Sequence, residues 1–475
     1  MPQLGQWLWS MPFLFVMGPS HFALRISTMV LSWLGLAAFY DQLRREGVSI
    51  GVAGLAACVL ALNPLFFVSQ GTYMTDVPAL SFGLIALNGY TRAMGQRSLR
   101  WLVPAAGFAI LGTITRQNLI AVPIVAGLLL VRFPELRLKP IWVLSVLLPV
   151  AAGVSTSLWF THRPDVLPMQ PVFPSPERLV VLPFLAVHLC GLTVLPLCLL
   201  NSRSRTRGVF AAAFVVMILA AGCLFVSGED TPYAREFPYC PGMITVWGTS
   251  SEQLVVGHRD VLLSPALRMV ISILGCIGGA RILVSLVQFV GIKKTPGPLL
   301  LFTMVQALFL LCLEDTHDRY FEVLFPGAIY LVAARFVAFR TPLRAGMVAV
   351  AMSGLLSVGL FHDWLSWNAA RWDLGRQALA MQTIKPADIE GGFEWNGWYG
   401  CANPDQPLPG PKQNPDLNDA STLALPFTRD FFPNVRGQFA LAFTQPSNAV
   451  VVASQRYRPW LSSGPRDFLL VRLKE

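Results

Sequence analysis

Three short polar segments interrupt an otherwise apolar chain, and each carries residue types that can do chemistry. They are Thr75–Pro78, Thr115–Asn118 and Glu314–Tyr320. A carboxylate such as Asp76 can bind a metal ion or an acceptor hydroxyl. A guanidinium such as that of Arg116 is the preferred group for two-pronged phosphate contacts. Together the segments contain the groups needed to bind a phosphate-linked substrate and act on it.

The first two segments also have purely structural interpretations. Asp76 precedes Pro78 at the expected start of a helix, where a carboxylate can cap free N–H groups and interact with the helix dipole. Arg116 lies between two apolar stretches and has no acidic neighbour in the sequence. Either its side chain extends to the membrane interface, where the charge is solvated, or its guanidinium binds a substrate phosphate.

The third segment has the highest density of polar groups between two apolar runs. Its candidates for substrate or metal contacts are Asp315, His317, Asp318 and Tyr320, and Arg319 is a second candidate for phosphate. A divalent metal ion is one cofactor that such a cluster could hold. The alternative is a solvated turn whose charges pair with one another, and such surface pairs contribute little stability.

Composition identifies the elements that must position these segments. The chain has 475 residues, of which 54% are hydrophobic and 13% charged, whereas a soluble domain is about a quarter charged. Because roughly 20 apolar residues span a bilayer as a helix, the apolar runs predict a polytopic α-helical membrane protein with about 12 transmembrane helices. These spans lie near 21–43, 51–69, 77–94, 101–115, 117–132, 141–160, 180–200, 209–227, 266–290, 299–313, 320–338 and 344–361.

The basic residues lie in loops that alternate with the three polar segments. They form the clusters Arg44/Arg45, Arg92/Arg97/Arg100, Arg132/Arg137/Lys139, Arg203/Arg205/Arg207, Lys293/Lys294 and Arg335/Arg340/Arg344. Positively charged loops stay cytoplasmic, so the polar segments are predicted to face the exterior. This placement explains the formal charge of +10 better than nucleic-acid binding does.

The composition changes after the last predicted span. From His362 to Glu475, Trp, Pro, Asn and Asp become common, and the alternating segments 448–453 and 468–471 predict strands. The predicted organisation is a transmembrane domain, 1–361, and a small extracytoplasmic α/β domain, 362–475. The insert 227–264 is predicted to be a structured exterior loop. Cys240 and Cys401 lie in exterior segments and could form a disulfide.

The start of the chain raises a question about topology. The helix at 21–43 must enter from the exterior, because its far end reaches Arg44 and Arg45. The apolar stretch Trp7–Met17 before it is too short to span a bilayer. We therefore expect one further helix and an exterior loop upstream; the alternative is a genuinely short start.

The polar motifs, taken in order and spacing, resemble a known superfamily. Asn63-Pro64, then Met74–Pro78, then Thr115–Gln117, then Asp318–Tyr320 before a run containing Pro326 resemble the GT-C membrane glycosyltransferases. The similar branch comprises bacterial relatives of protein O-mannosyltransferases and aminoarabinose transferases, and the resemblance covers roughly residues 5–345. It implies a polyprenyl-phosphate sugar donor and transfer to a lipid, glycan or protein acceptor at the outer face of the bacterial inner membrane.

The resemblance also implies roles for individual residues. Asp76 matches a secondary acidic position of the catalytic site, Arg116 and Arg319 match groups on the donor phosphate, and the remaining candidates match the donor or metal site. The family's first-loop catalytic carboxylate has no counterpart, because residues 1–40 contain no Asp or Glu. The competing interpretations are therefore a family member that does not catalyse transfer, and a transporter or flippase of lipid-linked sugars.

Overall fold

The computed structural model describes residues 3–162, 173–200, 207–226, 237–249, 255–291, 295–313, 316–336, 343–381, 383–400, 435–462 and 464–474, with Leu423, Leu425 and Phe432. Sixteen helices occur in this part of the chain. They are α1 Leu4–Met17, α2 His21–Arg45, α3 Ile50–Ala61, α4 Pro64–Gln70, α5 Asp76–Gln96, α6 Leu99–Thr115, α7 Ala121–Leu130, α8 Pro134–Arg137, α9 Pro140–Thr161, α10 Pro176–Cys198, α11 Arg207–Val226, α12 Pro265–Gly291, α13 Pro298–Leu311, α14 Phe325–Ala333, α15 Arg344–Ala380 and α16 Phe393–Gly400. Short 3₁₀ turns cover Gln117–Ile120, Asp318–Leu324, Ala334–Phe336 and Pro386–Asp388.

Long apolar helices confirm the predicted helical membrane protein. Among the described residues, six helices are long and apolar enough to cross a bilayer, namely α2, α9, α10, α11, α12 and α15. A seventh results if α3 and α4, which meet at a bend of 64°, form one broken span. Several other predicted spans occur as shorter apolar helices, among them α6, α13 and the segment Gln117–Leu130. The total of about twelve spans remains a prediction.

The bend between α3 and α4 follows from Asn63-Pro64. Pro64 has no N–H to continue α3 and favours the first turn of a new helix. The Asn63 Oδ1 accepts hydrogen bonds from the backbone N–H groups of Leu65 and Phe66 at 3.0 and 3.3 Å, which caps α4. Asn63 Nδ2 donates to Thr193 Oγ1 at 3.0 Å. The bend directs the chain into the turn that precedes Asp76.

One compact unit comprises Met1–Phe160, Met169–Pro241 and Pro265–Ser357. Small residues allow the helices of this first unit to approach closely, as is common in membranes. A Cβ at Gly35 would lie 2.7 Å from Ser81 Cβ, and one at Gly89 would lie 2.8 Å from Ala105 Cβ. These contacts hold α2 and α6 against α5. They therefore fix the helix whose first residue is Asp76.

A second compact unit combines Gly242–Ser264 with Val358–Glu475. Part of the insert 227–264, which lies within the predicted domain 1–361, thus belongs to the same unit as the C-terminal segment. The boundary predicted at 361 lies within a helix, because α15 continues to Ala380. Its later part carries a helical stripe at spacings of three and four residues, which packs into the core of the second unit: Trp364, Trp367, Arg371, Leu374 and Ala378.

The second unit contains a sheet of four strands, β3 Ile389–Glu390, β4 Phe439–Ala442, β5 Ala449–Tyr457 and β6 Arg466–Leu473. Their order in the sheet is β3-β4-β6-β5, and β5 and β6 confirm the two predicted strands. β3 and β4 are parallel, and the other pairs are antiparallel. A separate hairpin pairs β1 Ile244–Thr245 with β2 Gly248–Thr249. The structure therefore confirms the prediction that the C-terminal part of the chain contains a small domain with a sheet and helices.

Candidate functional site

The α5–α6 hairpin brings the first two polar segments together. Asp76 is the first residue of α5, and Arg116 follows Thr115, the last residue of α6. Adjacent antiparallel helices place the start of one beside the end of the other. Arg116 itself is extended, with φ −145° and ψ 127°, and a 3₁₀ turn begins directly after it. The polar segment Thr115–Asn118 thus lies at the turn between the two short helices α6 and α7.

Asp76 is the common partner of two arginines from different segments. Arg116 Nη1 forms an ion pair with Asp76 Oδ1, and Arg319 Nε lies 3.6 Å from Asp76 Oδ2. The Asp76 side chain is only 4% exposed, against 14% for Arg116 and 23% for Arg319. Burying a charge is costly unless it is paired, so this contact fixes all three side chains.

The geometry also decides between the structural alternatives for these residues. Thr75 is the N-cap residue of α5, and no side-chain hydrogen bond caps this helix. The Asp76 carboxylate is directed at guanidinium groups instead. Arg116 is paired with Asp76 and largely buried, so its side chain does not simply extend to the membrane interface.

Tyr320 lies next to both arginines. Its ring centroid is 4.5 Å from Arg116 Cζ and 5.5 Å from Arg319 Cζ, within the range of cation–π attraction. Burial alone would lower the pKa of Arg319, but the carboxylates of Asp76 and Asp318 outweigh it and raise the pKa. The guanidinium groups of Arg116 and Arg319 therefore converge on one carboxylate and one phenol ring.

The segment Phe237–Pro241 supports the third polar motif from outside it. The backbone N–H of Asp318 donates to the Pro241 carbonyl at 3.1 Å, and His317 Nδ1 lies 3.1 Å from the same oxygen. Burial and the nearby charge of Asp318 raise the pKa of Tyr239 to about 12. No sequence motif marked this segment as part of the site.

Asp318 and His317 hold the motif in shape. Asp318 is fully buried, and its Oδ1 accepts the backbone N–H of Arg319 at 2.6 Å. The ring of His317 meets that of Tyr320 edge to face, with centroids 5.2 Å apart. These contacts orient Arg319 and Tyr320 towards Asp76. Asp315 lies outside the described residues, so its role stays a prediction.

Two further polar residues belong to this region and were missed in the sequence. Glu322 is fully buried, accepts a hydrogen bond from Ser69 Oγ at 2.9 Å, and interacts electrostatically with Asp76, Asp318 and Arg116. Gln306 accepts from Asn118 Nδ2 at 3.1 Å and donates to the Asn118 carbonyl at 3.3 Å. Both lie inside predicted apolar spans, where a single polar residue was the one feature of the sequence that could have indicated a role in the site.

The described residues do not form a ready metal site. Within them, no group of three or more His, Cys, Asp and Glu residues could hold a metal ion. The two carboxylate oxygens of Asp76 face guanidinium groups, and Asp318 Oδ1 accepts a backbone N–H. The divalent metal ion therefore stays a prediction. The Cys240 thiol lies 3.5 Å from the Thr316 carbonyl oxygen, and Cys401 lies outside the described residues.

The solved structures that are similar to this chain include two structures of one protein. No family model matches the chain, and no curated protein matches it. The crystal structure of the aminoarabinose transferase ArnT from Cupriavidus metallidurans in the apo state is 14% identical, covers 98% of this chain and 87% of its own, and gives a TM-score of 0.34. The same protein bound to undecaprenyl phosphate is 14% identical, covers 99% and 87%, and gives a TM-score of 0.36. Both TM-scores are below 0.5, so the assignment of function rests on the site itself.

Proposed function

We propose that this chain is a membrane glycosyltransferase that moves a sugar from a polyprenyl-phosphate donor to an acceptor at the extracytoplasmic face. The convergence of Arg116 and Arg319 on Asp76 is the observation that carries the proposal. Two guanidinium groups from separate segments suit the non-bridging oxygens of a phosphate. Their positions next to apolar helices suit a phosphate that carries a lipid chain.

Arg319 is the arginine that the donor phosphate contacts first. Its side chain is more exposed than that of Arg116, and its contact with Asp76 is the longer of the two. The arriving phosphate accepts hydrogen bonds from Arg319 and then from Arg116. Asp76 thereby loses part of its guanidinium contact and becomes available as an acceptor of other hydrogen bonds.

The reaction itself needs one nucleophile, one leaving group and one proton acceptor. An acceptor hydroxyl attacks the anomeric carbon of the sugar, and the bond between that carbon and the phosphate oxygen breaks. The two arginines stabilise the negative charge that develops on the departing polyprenyl phosphate. Asp76 orients the hydroxyl and accepts its proton. No step is assigned to a metal ion, because the described carboxylates are already engaged.

The second candidate function is binding or transport of a lipid-linked sugar without transfer. One observation favours it: in this structure, Asp76 is held by guanidinium groups on both oxygens, which weakens it as a base. This candidate shares the phosphate-binding step with the first. It differs in that no glycosidic bond is made or broken.

The test uses the full chain in lipid nanodiscs with a panel of undecaprenyl-phosphate-linked pentoses and hexoses and a panel of lipid, glycan and protein acceptors. Release of undecaprenyl phosphate reports transfer, and co-purification of the donor reports binding. We expect release with the wild type and its loss in Arg116→Ala and Arg319→Ala. Arg132→Ala is the matched control, because Arg132 is an exposed arginine in a different loop.

The two candidates give different results in this test. Donor binding without release by the wild type would favour the non-catalytic candidate. Equal donor binding by the wild type and both arginine variants would contradict the phosphate-site assignment under either candidate.

A further inference from the structure

Two arginines of the first unit lie side by side where α14 ends. Arg335 is part of the 3₁₀ turn that follows α14, and its Nη2 donates to the Ser285 carbonyl of α12 at 2.9 Å. Arg281 precedes Ser285 by one helical turn, so the two residues share a face of α12. The charge of Arg281 acts electrostatically on Arg335. Two guanidinium groups of like charge are therefore neighbours.

Close packing between α10 and α12 forms the third side of this location. A Cβ at Gly278 would clash with the Gly191 carbonyl, so the backbones of the two helices are in contact there. Arg281 is on the next turn of α12, and its charge also acts on the Cys198 thiol at the end of α10. Arg281 and Arg335 are both half-buried. The arginine pair thus lies where α10, α12 and α14 meet, partly shielded from water.

The chain contains no acidic residue near this arginine pair in sequence. The stretches 178–228, 261–313 and 323–362 have no Asp or Glu, and they include nearly all of α10 and the whole of α12 and α14. Among the described residues, Arg281 is the charged group that acts most strongly on Arg335. Two adjacent cations that are partly removed from water repel each other, and a bound anion offsets this repulsion.

Three described carboxylates lie on the same predicted side of the membrane, namely Asp41, Glu46 and Glu135. Asp41 and Glu135 form ion pairs with other arginines. Glu46 accepts the backbone N–H of Leu299 at the start of α13. None of these three lies within ion-pair distance of Arg335. The arginine pair is therefore suited to a negatively charged group from outside the chain.

The surroundings favour a phosphate that carries acyl chains over a phosphate from solution. α12 is long and apolar enough to cross a bilayer. Beyond Ser285, its side chains Leu286, Val287 and Val290 are exposed, and so is Leu199 at the end of α10. Exposed apolar side chains of a membrane helix face acyl chains. A basic pocket between such helices on the cytoplasmic side suits the headgroup of an anionic lipid.

We propose that Arg281 and Arg335 together bind the phosphate of an anionic phospholipid, with its acyl chains along the exposed apolar side chains of α12. Guanidinium groups donate to the non-bridging phosphate oxygens, and the negative charge offsets the repulsion between the arginines. A zwitterionic lipid offers the same phosphate but adds a cation, so it binds less tightly. Arg319 precedes α14 and Arg335 follows it, so this site is separate from the Asp76 region and does not depend on the transfer reaction.

The test measures lipid binding to the full chain in detergent by native mass spectrometry and thermal unfolding. The probes are phosphatidylglycerol and phosphatidylcholine with identical acyl chains, and glycerol 3-phosphate, which has the phosphate without the chains. We expect phosphatidylglycerol to bind at least about tenfold more tightly than phosphatidylcholine and to raise the melting temperature, because charge-assisted hydrogen bonds are the strong ones. Glycerol 3-phosphate should bind at least about tenfold more weakly than phosphatidylglycerol, because it lacks the apolar contacts.

Variants show whether the lipid binds at this arginine pair. Arg281→Gln and Arg335→Gln each remove one guanidinium and should weaken binding of phosphatidylglycerol about tenfold or more. Arg137→Gln is the matched control and should leave binding unchanged, because Arg137 is an exposed arginine on the same predicted side of the membrane. If Arg281→Gln fails to fold, Arg335→Gln decides, because Arg335 lies beyond the end of α14.

Four results would overturn the proposal. They are equal binding of the two lipids by the wild type, binding of glycerol 3-phosphate as tight as that of phosphatidylglycerol, unchanged affinity for phosphatidylglycerol in Arg335→Gln, and an equal loss of affinity in Arg137→Gln. The second of these would identify a phosphate from solution as the ligand. The other three would show that the arginine pair does not select an anionic lipid.

Discussion

Asp76 and Arg116 are 40 residues apart in the chain and form a buried ion pair where the α5–α6 hairpin opens. The pair explains how an arginine between two apolar stretches is accommodated without an acidic neighbour in sequence. Arg319 lies 3.6 Å from the same carboxylate and is the more exposed arginine. A ligand phosphate can therefore contact Arg319 before it disturbs the Asp76–Arg116 pair.

Replacing either arginine of the site should reduce sugar transfer by about 100-fold or more, because each removes a donor that stabilises the leaving phosphate. Arg116→Lys and Arg319→Lys should recover part of the activity, since Lys keeps the charge but loses the planar fork. Initial rates of polyprenyl-phosphate release measure the effect. Full activity in Arg319→Ala would exclude Arg319 from the donor site.

Removing the carboxylate of Asp76 should destabilise the fold. Asp76→Asn leaves two buried guanidinium groups without their anion, and breaking a buried pair costs about 3–5 kcal/mol. Thermal unfolding of the variant in detergent, followed by tryptophan fluorescence, measures the loss.

The exposed pair Arg97–Glu135 provides the control for this prediction. Its side chains are 69% and 44% exposed, so Glu135→Gln should change stability by less than about 1 kcal/mol. Adding Arg116→Gln to Asp76→Asn should restore part of the stability, because it removes an unmatched charge. Equal effects of Asp76→Asn and Glu135→Gln would contradict the buried-pair description.

The hydrogen bond from Ser69 to Glu322 should contribute measurably to stability. Ser69→Ala removes the donor and leaves Glu322 Oε1 buried without it, which costs about 1–3 kcal/mol. Thr91→Ala is the control, since the Thr91 hydroxyl bonds to a carbonyl within its own helix. A melting temperature for Ser69→Ala no lower than that of Thr91→Ala would disprove the role of this bond.

Glu46 predicts a pH dependence of stability. Its carboxylate accepts the backbone N–H of Leu299 at 3.1 Å, at the start of α13, and accepts from Gln42 at 2.9 Å. Burial raises the pKa of Glu46 to about 7 from an ordinary value of 4.5. Between these two values the folded state holds more protons than the unfolded state, so stability falls as pH rises from 4.5 to about 7.

The expected loss across this range is at most about 3 kcal/mol. Unfolding of the wild type and of Glu46→Gln over this pH range measures it. Glu46→Gln keeps the acceptor oxygen but does not titrate, so its stability curve should be flatter. Parallel curves for the two proteins would show that Glu46 does not titrate in this range.

Much of the architecture was predictable because it depends on local patterns. Long apolar runs predicted the helices, and alternation predicted β5 and β6. The break at Asn63-Pro64 was not predicted, because it lies inside the apolar run 51–69. The polar turn around Arg116 was predicted correctly. The end of the last long helix was not, because Trp364, Trp367 and Arg371 continue the helical period after the composition has changed.

The members of the site were only partly predictable. Asp76, Arg116, Arg319 and Tyr320 were candidates on residue type and spacing, and the structure brings these four together. Glu322 and Gln306 were missed because a single polar residue in an apolar run has no periodic signal. The support from Phe237–Pro241 could not be predicted either, since it consists of backbone carbonyl contacts that any residue type can make.

The sequence by itself determined that this is a helical membrane protein with polar segments at the ends of its helices and a small domain containing a sheet. These properties follow from hydrophobicity and its period along the chain. Only the tertiary structure decided that Asp76 is the partner of both Arg116 and Arg319. That pairing depends on how closely α2 and α6 approach α5 and on where the bend at Asn63-Pro64 directs the chain. Such distances are set by packing between residues far apart in sequence, and a local pattern does not contain them.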